Sequence, residues 1–290
     1  GVNTANLLDA ETASGFIALQ VHSIEDAKLA GKAVRWRNIK IKTENLAEDR
    51  WPMQPGAPEI NLLPNTLSDY EKCHGWRLLW DGKTSAGWRS AKSNQFPQSG
   101  WEIKDGVLTV WESGGGEAAQ GGDIITVETF SEFELKVDFK ITKGANSGIK
   151  YFVDPELNKG EGSAIGLEFQ ILDDETHPDA KEGVGGNRTV ASLYDLIPAQ
   201  NLSVPGRSKD FRGVGAWNQA RIVVKGNRVE HWMNGFKMVE FERGSQIFRA
   251  LVQKSKYHVW PNFGEAPAGH ILLQDHGNTV FFRSIKIREF

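Results

Sequence analysis

From residue 75 onward the chain alternates between apolar and polar positions. In FELKVDFKI (133–141), Phe133, Leu135, Val137, Phe139 and Ile141 occupy every second position, and Glu134, Lys136, Asp138 and Lys140 fill the gaps. A period of two predicts a strand with one face in a core and the other in water. The same pattern, or short apolar runs bounded by turn residues, predicts strands at 106–111, 148–153, 166–172, 219–225, 228–233, 236–241, 270–275 and 280–288. KGN at 225–227 and Asn234-Gly235 separate consecutive runs, and Asn-Gly is the strongest short hairpin signal. Many short strands with hairpin turns and little helix predict an all-β protein of two packed antiparallel sheets.

One strand pattern occurs twice. GFIALQVH (15–22) and GHILLQDH (269–276) share Gly, Ile, Leu, Gln and His, and RWRNIKIK (35–42) echoes FFRSIKIR (281–288). A lone hairpin is marginal in water, so residues 1–42 are expected to be the C-terminal hairpin of a preceding homologous domain. The proline-rich, aperiodic stretch 43–74 then reads as a linker and 75–290 as the sandwich domain.

Composition narrows the function. At 290 residues and 39% hydrophobic, the chain can bury a sizeable core. A net charge of −3 gives no basic footprint for nucleic acid, and no apolar run approaches a membrane span. The single cysteine, Cys73, excludes an intrachain disulfide framework. The glycine runs do not follow the strand-to-helix order that phosphate loops need, and GxSxG, paired CxxC and HExxH are absent. Ten tryptophans and 31 glycines suit β-structure with aromatic ligand surfaces.

Strand parity picks out polar side chains that share a face. In GLEFQILDD, Glu168 and Gln170 project opposite to Leu167, Phe169 and Ile171. In GHILLQDH, Gln274 and His276 project opposite to Ile271 and Leu273, and in the first copy Gln20 and His22 do the same. Either pair serves a site, or it is a solvated strand face or a cross-strand hydrogen-bond pair. Arg283 shares parity with Ile285 and Ile287, which points it inward, where a guanidinium needs a carboxylate or carbonyl partner. Asp173 and Asp174 head an acidic loop with Glu175, His177 and Asp179, a density of oxygen donors that could hold a divalent cation such as calcium, although the spacing is not that of an EF-hand.

GWRLLWDGKTSAGWR, WEIKDGVLTV, FSEFELKVDFKI, NSGIKYF, GLEFQILDD, WNQARIVVKGNRVEHWMNG and ILLQDHGNTVFFRSIKIREF, in this order over residues 75–290, resemble the 3-keto-disaccharide hydrolase family, which is similar in fold to the concanavalin A-like lectins and glucanases. The resemblance implies a two-sheet jelly-roll sandwich, an oligosaccharide or glycoside substrate held on a concave face, and a periplasmic or secreted location. Carried over residue by residue, it implies Glu168 and His276 as catalytic candidates. Gln170, Gln274, Asn146, Ser147, Tyr194, Asn234 and Arg283 are the implied substrate contacts. Lys150 stands where the family's pattern leads one to expect arginine, replacing a bidentate fork with a point charge.

Three readings stay open at this level. A ketone at C3 acidifies the C2 proton, so His276 or Glu168 could abstract it while Arg283, Lys150 or a bound cation stabilises the enolate. Ordinary retaining hydrolysis needs two carboxyl groups about 5–5.5 Å apart; here Glu168-x-Gln170-x-x-Asp173 offers an amide in the middle and a short acid at the end. A non-catalytic carbohydrate-binding module would instead stack sugars on exposed rings such as Trp88, Trp232 or Trp260.

Overall fold

The computed structural model describes residues 6–20, 26, 28, 31–41, 43–45, 59–114, 116–118 and 120–290. They fall into two compact units, Gly1–Leu63 and Pro64–Phe290. In the first, β1 (Leu7–Leu8) pairs in parallel with β2 (Ile60–Asn61). The described parts of 15–22 and 35–42 form no strand, so the expected hairpin is not seen there, and His22 lies outside the described residues. Phe16, Ile17, Ile39 and Ile41 are exposed; an alternating pattern makes a strand only where something covers its apolar face.

The second unit opens with α1 (Asp69–Cys73), so the end of the expected linker is a helix. Ser68 accepts from the Glu71 amide and Glu71 accepts from the Ser68 amide, a reciprocal cap. Two antiparallel sheets follow. The smaller runs in the order β10 (Ile165–Leu172), β9 (Asn146–Asp154), β14 (His270–Leu273), β7 (Ile124–Thr126), β4 (Trp88–Ser90). The larger runs β13 (Phe236–Glu242), β12 (Arg228–Met233), β11 (Asn218–Lys225), β8 (Phe133–Ile141), β15 (Val280–Glu289), β6 (Val107–Val110), β5 (Trp101–Lys104), with β3 (Arg77–Leu78) also on β15. This is the jelly-roll sandwich that the alternation and the resemblance led one to expect. Asn234-Gly235 makes the β12–β13 turn, as expected, with Asn234 at φ 50°.

The core lies between the sheets. Phe133, Leu135, Val137, Phe139 and Ile141 of β8 meet Ile149, Tyr151, Leu167, Phe169 and Ile171 of the smaller sheet in one buried cluster. The other face of β8, expected in water, is partly covered: Glu134 is buried between Arg221 and Arg288, while Lys136, 4.4 Å from the Trp76 ring, Asp138 and Lys140 are half-buried. Bulges break strict parity, one of them in β13, where His231 pairs Val239 and Trp232 pairs Lys237. Phe152 at φ 53° shifts β9, so that Val153 joins Ile125, Ala164 and Leu272 in a second small cluster on the other face. Ser284 at φ 51° shifts β15, so that Phe282, Ile285 and Ile287 all face the core. Among the described residues no helix is long and apolar enough to cross a membrane.

Candidate active site

The smaller sheet has a polar outer face because β9 and β10 alternate in step. In their register Glu168 stands opposite Lys150 and Gln170 opposite Gly148. A Cβ on Gly148 would collide with Glu168 Oε1, so glycine is what lets the carboxylate lie across the sheet. Lys150 Nζ sits 3.9 Å from Glu168 Oε2, and the Tyr257 hydroxyl donates to the same oxygen at 3.4 Å. Glu168 and Lys150 are only 4% and 5% exposed. Burial pushes the Glu168 carboxyl above its ordinary value; Lys150, Lys256 and His276 pull it back, and Glu117 adds to the rise.

Behind this pair lies a third acid. Lys150 Nζ donates to Ser163 Oγ and, at 3.2 Å, to the Ala164 carbonyl, and the Ser163 hydroxyl donates to Asp123 Oδ2. Asp123 also accepts from the amides of Ala164 (3.1 Å) and Asp275 (3.0 Å). Its burial raises its carboxyl too, while Lys150 opposes the rise.

Beside it runs an amide network. Gln170 Nε2 donates to Asn146 Oδ1 at 3.2 Å, and Asn146 Nδ2 meets His276 Nε2 at 3.4 Å. Gln274 Nε2 donates to Glu117 Oε1 at 3.1 Å. The Oε1 atoms of Gln170 and Gln274 are buried without a hydrogen-bond partner among the described residues, which leaves two acceptors suited to sugar hydroxyls. Lys150, Ser163, Glu117, Lys256, Tyr257 and Trp260 line a cavity of about 220 Å³, and Glu168 touches two of them.

Glu168, Gln170, Asn146, Lys150, Gln274 and His276 are thus gathered on one face. Tyr194 frames it: its amide donates to the Glu168 carbonyl, its hydroxyl donates to Asp179 at 2.8 Å, and Lys256 Nζ lies 4.4 Å from its ring. Burial, Glu168 and Asp179 push its phenol up. Burial and the neighbouring His276 hold His177 below its ordinary value.

Four expected residues, and both parts of the expected cation site, stand differently. The Ser147 hydroxyl is spent on the Gln274 carbonyl. Asn234 is a turn residue of the larger sheet, bonded to Asp210, Asn218 and Gln219. Arg283 is turned outward on that sheet by the Ser284 bulge, 3.5 Å from Asp138 and 4.1 Å from the Trp217 ring. Trp88 is buried, its Nε1 donating to the Leu79 carbonyl at 3.0 Å. Asp173 accepts from Gly144, Thr176 and Glu175, and Asp174 accepts from the Val190 amide and Lys209. Both carboxylates are thus occupied by protein donors, and among the described residues no group of three or more His, Cys, Asp or Glu gathers to hold a metal. Sequence reasoning passed over Asp123, Ser163, Glu117, Lys256 and Tyr257. Only Asp123 had a signal, as a lone acid heading the apolar IIT strand.

A jelly-roll sandwich with paired ionisable groups and free acceptors beside a cavity on one sheet face defines a carbohydrate-active enzyme. Within that class, residues 75–288 match the family described as the 3-keto-alpha-glucoside-1,2-lyase-like domain, and the chain belongs to it. It is 38% identical over 234 residues to the 3-keto-disaccharide hydrolase of Bacteroides thetaiotaomicron, spanning 74% of this chain and 78% of that protein. A crystal structure of a proposed glycosyl hydrolase from Parabacteroides distasonis covers 79% of this chain and all of its own, with a TM-score of 0.67 and 29% identity. A second from the same organism covers 70% of this chain and 99% of its own, with a TM-score of 0.51 and 24% identity, and speaks to the fold alone. The chain is a glycoside-cleaving enzyme.

Proposed function

We infer that the chain cleaves 3-keto-disaccharides by removing the proton next to the ketone. The observation that carries this reading is the buried Glu168–Lys150 pair, in which Lys150 lines the cavity and Glu168 lies behind it against Lys150 and Tyr257. A carboxylate raised by burial is a stronger base than an exposed one, and an ammonium beside it can receive charge developing on the ketone oxygen. Glu168 takes the C2 proton, the C–H electrons move onto the ketone oxygen as an enolate, and Lys150 stabilises it. The enolate then expels the C1 oxygen, which leaves as the alcohol with a proton supplied from the His276 side. Water added across the resulting C1–C2 double bond completes a net hydrolysis.

The paired-carboxylate reading is weaker because Asp173, its second acid, is committed to Gly144, Thr176 and Glu175. A mere binding module has no use for a desolvated acid and lysine side by side. The test is incubation in D₂O with matched ordinary and 3-keto disaccharides, with and without chelator, followed by NMR and mass spectrometry. Cleavage of the oxidised substrate alone, with deuterium at C2 of the product, is the expected result. Cleavage of the ordinary sugar without C2 label would overturn it, and loss of turnover with chelator would assign the enolate to a cation instead of Lys150.

A further inference from the structure

The mechanism above uses Lys150 and leaves unused the buried groups that hold it. Lysine carries a flexible four-carbon stem and a point charge, so in place of a planar fork it needs anchors to face one atom. Here the anchors are built. Ser163 and the Ala164 carbonyl receive two of its protons, and Asp123 fixes both anchors, accepting from the Ser163 hydroxyl and the Ala164 amide. The remaining face of Asp123 accepts the Asp275 amide, between the two site residues Gln274 and His276. Among the described residues, each side-chain hydrogen bond of Asp123 comes from a donor aimed at the carboxylate, from Ser163 and Ala164 beside Lys150 and from Asp275 between Gln274 and His276.

We propose that Asp123 is a positioning residue that acts through Ser163 on Lys150, holding the ammonium as a hydrogen-bond donor to the substrate's ketone oxygen and not as a free amine nucleophile. This rests on the reading of the preceding subsection. The charged and titratable groups around Lys150 agree with a held cation: Glu168 on β10, Asp123 before β7, and Glu117 and Glu161 of the cavity lining, against Lys256 and the neutral phenol of Tyr257 in the same lining. Among the described residues, Asp123 reaches the cavity lining through its hydrogen bond with Ser163, so its contribution to turnover is indirect.

A double-mutant cycle separates a relay from a structural prop, because a residue that works only through Lys150 has nothing left to contribute once Lys150 is gone. Lys150→Met is expected to lower kcat on a 3-keto-disaccharide roughly 10²-fold, the usual loss for an oxyanion donor. Ser163→Ala and Asp123→Asn are each expected to lower kcat about tenfold, with KM changed less than about twofold, and Ser163→Thr, which keeps the hydroxyl, should restore most of the loss. In the Lys150→Met background both substitutions should change kcat by less than about twofold. Additive losses in that background would make Asp123 and Ser163 structural supports and overturn the proposal. So would a substrate adduct on Lys150 after borohydride reduction, since only a free amine forms an imine with a ketone. Ser163→Ala alters a single hydroxyl, so the cycle can be completed with it even where Asp123→Asn unfolds. Absence of any turnover of the 3-keto substrate by the unsubstituted protein would count against the parent reading, and is distinguishable from these results.

Discussion

Glu168 stands where burial works against folding and in favour of chemistry. Its folded carboxyl titrates above its ordinary value of 4.5, so the native state holds that proton more firmly than the unfolded chain does. The associated stability is complete below about pH 4.5 and is lost as pH rises through the folded value. Glu168→Gln carries the neutral form permanently. It is therefore expected to unfold at higher urea than the parent at pH 8 and at the same urea at pH 4, while losing about 10³-fold in kcat. Equal midpoints at both pH values would show that the carboxylate is not under desolvation strain. Gly148 belongs to the same argument, because the Glu168 carboxylate occupies the space of its missing side chain. Gly148→Ala should leave the sandwich folded, as judged by circular dichroism, and depress kcat nearly as far as Glu168→Gln does; a kcat near the parent value would mean the carboxylate can work from another position.

At the level of single elements, alternation predicts most of the long strands because each has one face in a common core. β8, β9, β10 and the hairpin strands β11 to β13 fall within a few residues of where the period of two places them, and Glu168, Gln170, Gln274 and His276 were legible for the same reason. Alternation fails at bulges. Nothing in FFRSIKI marks Ser284 as left-handed, yet its φ of 51° inverts the strand and carries Arg283 from the expected core side to the outer face. The cause lies 219 positions away in sequence: the Asn65 amide donates to Ser284 Oγ at 3.2 Å, the Ser284 amide donates to Asn65 Oδ1 at 2.7 Å, and Asn65 Nδ2 donates to the Gly106 carbonyl at 2.7 Å. Tyr257, Lys256 and Ser163 were illegible for a related reason, since a single 3₁₀ turn (Lys256–Val259) and a loop bring them to the sheet, and neither carries a period. Asn65→Ala removes side-chain partners from both the bulge and the β5–β6 turn. It should cost about 1–3 kcal/mol in urea unfolding, with activity unchanged because the clamp lies on the larger sheet; a loss below about 0.5 kcal/mol would show that the bulge is set by strand packing instead.

At the scale of the whole sandwich, His231 of β12 is a polar group that joins the two sheets. Its Nε2 lies 2.8 Å from the Tyr151 hydroxyl of β9, and its Nδ1 lies 3.2 Å from the carbonyl of Ala191, in the loop whose next residues pair with β10 behind Glu168. The geometry calls for neutral imidazole, with Nδ1–H donating to Ala191 and Nε2 accepting from Tyr151. Complete burial enforces it, holding the pKa down to about 4, despite the Ala191 and Ser192 backbone contacts that favour the charged form. A base depressed in the folded state gives the opposite sign from Glu168. The unfolded chain takes up the proton first, so the stability is present above the ordinary value of 6.5 and drains away as pH falls from there toward 4. Integrated from pH 7 to 4.5, the drop is about 2–3 kcal/mol. His231→Gln keeps hydrogen-bonding capacity at the sheet junction but cannot titrate, so it should be less stable than the parent at pH 7 and lose less on acidification. Parallel urea titrations of the two proteins at pH 7 and 4.5 read the difference directly, with the shifted carboxyls common to both cancelling out. If both proteins lose the same amount, the histidine between the sheets is not what sets the acid limit of the fold.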